Sequence, residues 1–155
     1  MIDIDVGASP SFEIKDFLSN FIYSRSSWLA MTATQRSEYY DIWALRTLSD
    51  TVLNYDVWHR IYGMQFISNY CVDSLIKNTV DIHQKIFPME PDLLEVRSAF
   101  EGAGLYQIKV TEDCDYSGFP VTCEHVPFHT CAREKNQARI FINSRFTNEE
   151  AFKTV

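Results

Sequence analysis

Glycine and proline are scarce in this sequence, five of each in 155 residues, and neither gathers into a run that would make a flexible or polyproline linker. That excludes a collagenous or low-complexity chain, and the expectation is a single domain over residues 1–155. Basic side chains are the minority, fourteen Lys and Arg against twenty-one Asp and Glu, and the formal charge of -7 argues against nucleic acid or an anionic membrane as the main partner. No apolar run approaches the ~18 residues of a membrane span. The start lacks the basic, then apolar, then small-residue order of a signal peptide. A cytoplasmic, reducing location is therefore expected, with Cys71, Cys114, Cys123 and Cys131 as free thiols. There is also no C-x-x-C pair. Cys114, Cys123, His125, His129 and Cys131 offer nitrogen and sulfur enough for a structural zinc, but their C-x-H-x-x-x-H-x-C spacing matches no familiar finger.

What is present is a chain with 46% hydrophobic and 14% aromatic residues, enough to bury a sizeable core. Its first seven residues, Met1-Ile2-Asp3-Ile4-Asp5-Val6-Gly7, alternate apolar with acidic and stop at glycine, the pattern of a strand. Asp3 and Asp5 then face the same side. Such a pair either is solvated on an edge strand or takes a hard divalent cation, Mg²⁺ or Mn²⁺, which shares its coordination with water and phosphate.

Further along, Ser9 and Pro10 read as a helix start, and Phe12, Ile14, Phe17, Leu18, Phe21 and Ile22 as a helical stripe expected to pack on a sheet. Trp28 to Ala33 is a buried strand. Tyr39-Tyr40-Asp41-Ile42-Trp43-Ala44-Leu45-Arg46 is read as another, with Asp41 and Arg46 either pairing or meeting a ligand. Leu48 to Leu53 suits a short helix. Asn54 to Arg60 is a polar and aromatic cluster of the kind that lines a sugar site or packs an interface. Ile67 to Ile86 suggests one helix, or two broken near Asn78, ended by Pro88 and Pro91. Leu93 to Val96 is extended and leads into Gly102-Ala103-Gly104, where the backbone needs positive φ or a close approach, or simply turns into a strand Leu105–Val110.

The second chemical cluster is Cys123-Glu124-His125-Val126-Pro127-Phe128-His129. Proline is tolerated in a first helical turn, so a helix is expected from about Val126 to Lys135, with Glu124 and His125 at its mouth and His129 one turn inside. A glutamate so placed serves as a general base or simply complements the helix dipole; a histidine serves as metal ligand, proton carrier or satisfied structural residue. Arg139 to Asn143 reads as a closing strand, with a frayed tail from Thr147.

Taken in order, the D-x-D at a strand end, the W-A-L-R run, the S-A-F-x-G-A-G loop and C-E-H-V-x-F-H resemble the catalytic half of glycosyltransferases of the GT-A fold. More narrowly they resemble sugar transferases of large viruses and protists that end in C-E-H-x-x-F-H. The resemblance runs from Asp3 to about Asn143. It implies an α/β fold with a mixed sheet and flanking helices, the C-terminal part of a GT-A fold without its nucleotide-binding half. It implies transfer of a sugar from a nucleotide-sugar donor to a hydroxyl acceptor on a glycan or protein, with Mn²⁺ or Mg²⁺ as Lewis acid. Glu124 takes the position of the base and His125 the neighbouring one. Asp3 and Asp5 match the metal motif, Asp3 also bordering the donor, and His129 is expected at the metal or diphosphate. Asp41, Arg46, Gly102, Ala103 and Gly104 match segments beside the donor and acceptor. A second chain could supply the missing half. The alternative is a non-catalytic binding or assembly module that retains the fold.

Overall fold

A computed structural model describes residues 13–36, 38–67, 71–84, 92–117 and 122–148. The D-x-D strand and the Ser9–Pro10 helix start lie outside these residues. The described chain is α/β: a mixed five-stranded sheet with flanking helices. The strands are β1 (Ala30–Gln35), β2 (Arg46–Thr47), β3 (Leu93–Ser98), β4 (Gly104–Tyr106) and β5 (Ile140–Asn148), in the order β2-β3-β5-β1-β4. β5 pairs parallel with β1 and antiparallel with β3, while β4 and β2 close the two edges antiparallel. The parallel pair, β1 and the first half of β5, is buried on both faces, as parallel pairing under helices requires.

Helices α1 (Ile14–Leu18), α2 (Val57–Ile67), α3 (Val72–Thr79), α4 (Ile108–Thr111) and α5 (His125–Asn136) surround the sheet. The main core joins Ala30, Val96, Ile140 and Ile142 of the sheet to Val57 and Ile61 of α2, Leu75 of α3 and Ala132 of α5. Asp56 starts α2 by accepting the His59 amide on Oδ1 at 2.9 Å, an N-cap within the polar and aromatic cluster. The expected break in the next helical region falls at Thr79–Val80, followed by a short 3₁₀ turn at Asp81–His83.

Several local expectations are corrected by tertiary contacts. The expected stripe, divided between α1 and a 3₁₀ turn over Ser19–Ile22, does not face the sheet: Ile14, Leu18 and Ile22 are exposed, while Asp16 and Asn20 are buried. The reason is that β5 is polar where the helix crosses it. Thr147 donates to Asp16 at 2.8 Å and Asn143 to Asn20 at 2.9 Å, and of the apolar set Phe17 reaches Phe146 edge-on. The Tyr39–Arg46 run is a turn over Ile42–Ala44 with a two-residue strand at its end, because the Asp41 carboxylate accepts the Ala44 amide at 3.0 Å and curls the chain. Leu48–Leu53 is a loop folded back on β2, with Leu53 buried at φ 48°. Beyond Tyr106 the expected strand gives way to α4, and β5 runs on through Thr147 and Asn148, which pair with Thr34 and Gln35.

The cysteines are also corrected. Cys114 and Cys131 form a disulfide, with Cα atoms 5.8 Å apart, while Cys71 and Cys123 are free. The bond ties the loop after α4 to the middle of α5, a pairing that spacing alone does not reveal. It consumes two of the thiols in the zinc expectation. Cross-linking across a separation of 17 residues is expected to stabilise the fold by about 3 kcal/mol. The urea midpoint of the Cys114→Ser/Cys131→Ser double variant should fall accordingly; an unchanged midpoint would show that the loop and helix hold together without the bond.

Candidate functional site

The turn before β2, the start of α2, α3 with the 3₁₀ turn that follows it, and the start of α5 enclose a cleft of about 460 Å³. Its lining includes Tyr40, Asp41 and Trp43 from the turn before β2, Trp58 from α2, Asp81 and Gln84 beside the 3₁₀ turn, and Cys123, Glu124 and His125. Asp41, Glu124 and His125, expected from sequence to carry function, thus share one cavity. Asp41 and Glu124 both raise the Cys123 thiol, after burial, which is the larger cause, and together with the other influences the thiol is pushed up to about 12. Cys123 is therefore a protonated core thiol at neutral pH, not a nucleophile.

Glu124 and His125 are held from two sides. The His125 ring stacks on Phe100, with centroids 3.8 Å apart and planes 16° from parallel. From the tethered loop, the Tyr116 hydroxyl lies 2.9 Å from His125 Nε2 and donates to Glu124 Oε1 at 3.3 Å. One hydroxyl can donate to the carboxylate while accepting from the imidazole, which orders a Glu–Tyr–His array at the helix mouth. The disulfide at Cys114 fixes the loop two residues before Tyr116.

The turn that presents Asp41 is anchored by a residue that the motif reading passed over. Glu101 is 2% exposed, and its two carboxyl oxygens each accept a backbone amide, Tyr40 at 2.8 Å and Asp41 at 2.8 Å. Beside it, the Tyr39 hydroxyl accepts the Phe100 amide and donates to the Phe100 carbonyl. Loops 39–44 and 99–104 are thereby locked together, so one loop bears Asp41 and the other the ring under His125. The signal in sequence was an acid embedded between Phe100 and Gly102 in an otherwise small and apolar segment. Burial pushes Glu101 up to about 8, against the two amide bonds that favour its ionised form. A folded value above the ordinary 4.5 means that the folded chain binds more protons than the unfolded one between those limits. Stability from this group is present below pH 4.5 and is lost as pH rises through about 8. Glu101→Gln should flatten that part of the pH–stability curve and, because an amide nitrogen must then face a backbone N–H, loosen the Tyr40–Asp41 turn. Amide chemical shifts of Tyr40 and Asp41 across this pH range check both effects; shifts unmoved by pH would contradict the assignment.

Other expected site residues lie elsewhere. Arg46 is buried and donates to the Trp43 and Leu45 carbonyls at 2.9 and 2.8 Å and to Asp56 at 3.3 Å. Its partner is Asp56, not Asp41, and its charge is spent inside the fold. His129 is fully buried, with Nδ1 at 2.9 Å from Ser98 Oγ and Nε2 at 3.0 Å from the Tyr106 hydroxyl. Burial, then the neighbouring His125 and Arg133, depress it to about 3. With both nitrogens engaged, it fits a neutral core residue rather than a metal or diphosphate contact. Gly102 has φ +74°, as the turn demands. A Cβ on Gly104 would stand 2.6 Å from the Tyr106 ring, so this glycine lets Tyr106 fold back toward His129. Ala103 packs with Ala33 and Phe146. None of these three is among the described lining residues of the cleft.

No family model, curated protein or solved structure matches this chain.

Among the described residues, no group of three or more His, Cys, Asp or Glu is arranged to hold a metal ion. Asp3 and Asp5, the expected metal ligands, lie outside the described residues. Among the described residues no helix is long and apolar enough to cross a membrane.

Proposed function

We propose that this chain is a metal-dependent glycosyltransferase, or part of one, moving a sugar from a nucleotide-sugar donor to a hydroxyl acceptor. The supporting observation is the convergence of Glu124, His125 and Asp41 with Trp43 and Trp58 on one cleft of about 460 Å³, within the roughly 300–1,000 Å³ of small-molecule sites. Indole faces cover the apolar side of a pyranose, and carboxylates accept its hydroxyl protons. Glu124 removes the proton of the acceptor hydroxyl. The acceptor oxygen bonds to the anomeric carbon, the bond from that carbon to the diphosphate oxygen breaks, and the nucleoside diphosphate leaves with the electron pair. The Mn²⁺ or Mg²⁺ implied by the D-x-D resemblance would rest on Asp3 and Asp5. His129 does not fit it, and no step here runs through it.

The test is release of nucleoside diphosphate from a panel of sugar nucleotides with Mn²⁺, with and without glycan acceptors. Acceptor-stimulated release supports the reading. Absence of release and of transfer across the panel overturns it for this chain. The alternative, a binding or assembly module, is favoured by the outward apolar face of α1 and the 3₁₀ turn after it, at Ile14, Leu18 and Ile22. On that reading the chain associates in a sedimentation experiment and Ile14→Asp disperses it.

A further inference from the structure

The cleft is lined by three carboxylates, Asp41, Asp81 and Glu124, beside the polar side chains of Tyr40, Gln84 and His125, with no Lys or Arg among its described lining residues to offset them. Several donors that could serve an anion are spent internally, the Gln84 amide among them on the Tyr40 carbonyl at 3.2 Å. The Tyr40 and Asp41 amides go to Glu101, and the Ala44 amide goes to the Asp41 carboxylate. Arg46, just beyond the turn, is buried against Asp56 and two carbonyls. The α5 N-terminus would attract an anion, but Glu124 already stands there as its own carboxylate. What remains for a ligand is a negative, acceptor-rich wall interleaved with Tyr40, Trp43 and Trp58. The Trp43 ring is held in place, its Nε1 donating to Asp56 at 2.9 Å.

We propose that this cleft takes an uncharged saccharide, stacked on its aromatic rings with hydroxyls donated to Asp41, Asp81 and Glu124, and discriminates against uronate, sulfate and phosphate sugars. The inference rests on the transferase reading for the role of this sugar, which is the acceptor. The diphosphate of a donor would meet no Lys or Arg among the described residues of this wall. Selectivity comes from electrostatics: three carboxylates around one cavity repel an anion, and the repulsion weakens as salt screens it.

Matched saccharides that differ only in charge test this, a neutral methyl glycoside against its uronate and its 6-sulfate across several parent sugars. Binding is read by the fluorescence of Trp43 and Trp58, with buried Trp28 as constant background. The neutral member should bind at least about tenfold more tightly than its acidic mates at low salt, with the gap narrowing as ionic strength rises. Asp81→Asn should narrow it as well. Equal or tighter binding of an acidic mate, or no fluorescence response to any neutral member, overturns the proposal. The two readings fail separately. Neutral binding without release of nucleoside diphosphate leaves the saccharide assignment standing and removes the transferase. Transfer onto an acidic acceptor does the reverse.

Discussion

Replacing Arg46 with alanine is expected to destabilise the fold by about 3–5 kcal/mol, because it leaves a buried carboxylate without its cation. The two side chains are 7% and 9% exposed, with Arg46 Nη2 3.3 Å from Asp56 Oδ2. The guanidinium also satisfies the Trp43 and Leu45 carbonyls. Asp56 in turn accepts from Thr122 at 2.8 Å, from Trp43 Nε1 at 2.9 Å and from the His59 amide. Loss of the arginine therefore strands two carbonyls and a carboxylate that ties the α2 start to the turn under the cleft. Burial raises the Asp56 carboxyl, but these hydrogen bonds and Arg46 together hold it below its ordinary 3.8. Its contribution is present above that value and is lost as pH falls through the depressed one. Burial in turn lowers the Arg46 guanidinium, against the opposing pull of Asp56, without discharging it at neutral pH. Arg46→Lys should recover part of the loss, since one ammonium cannot reach both carbonyls and the carboxylate in the same planar geometry. Urea denaturation measures the series. A cost below about 1 kcal/mol for Arg46→Ala would place the pair among weak, solvent-screened contacts instead.

The second large effect concerns chemistry. On the transferase reading, Glu124→Gln should lower transfer by about 10²–10⁴-fold, the usual contribution of a positioned general base. Folding should be almost untouched, within about 0.5 kcal/mol, because Glu124 is partly exposed and makes no side-chain cap to α5. Tyr116→Phe removes the hydroxyl that reaches both Glu124 and His125, at 3.3 and 2.9 Å. It should depress transfer less and move the pH dependence of the rate, whereas a purely structural role for Tyr116 would leave that profile in place. Steady-state rates for the two variants, with thermal melts alongside, separate the cases. Undiminished transfer in Glu124→Gln would remove Glu124 from the base role.

Much of the site was legible because its residues are placed by local rules. Pro127 restricts where a helix can begin, and α5 does start at His125, one residue before the expected Val126. Glu124 and His125 fall at its mouth for that reason. Gly102 takes positive φ where the small-residue loop required a permissive backbone. The buried strand begins two residues later than expected, at Ala30 rather than Trp28, because the apolar run starts before the ladder pairing does. Glu101 was missed because its role depends on amides some sixty residues earlier in the chain, a relation that no local pattern carries.

Sequence alone determined the position of α5, the acidic balance and the candidates Asp41, Glu124 and His125, since periodicity, capping and composition act over a few residues at a time, while the α/β class came with the resemblance. Tertiary structure decided which partners those residues meet. It paired Arg46 with Asp56, drew His129 into the core between Ser98 and Tyr106, joined Cys114 to Cys131 and turned the apolar stripe of α1 outward. Each outcome depends on what a distant segment presents at the point of contact. A polar stretch of β5 against α1, or a tyrosine folded back beside a glycine, has no signature in the spacing of the residues it meets.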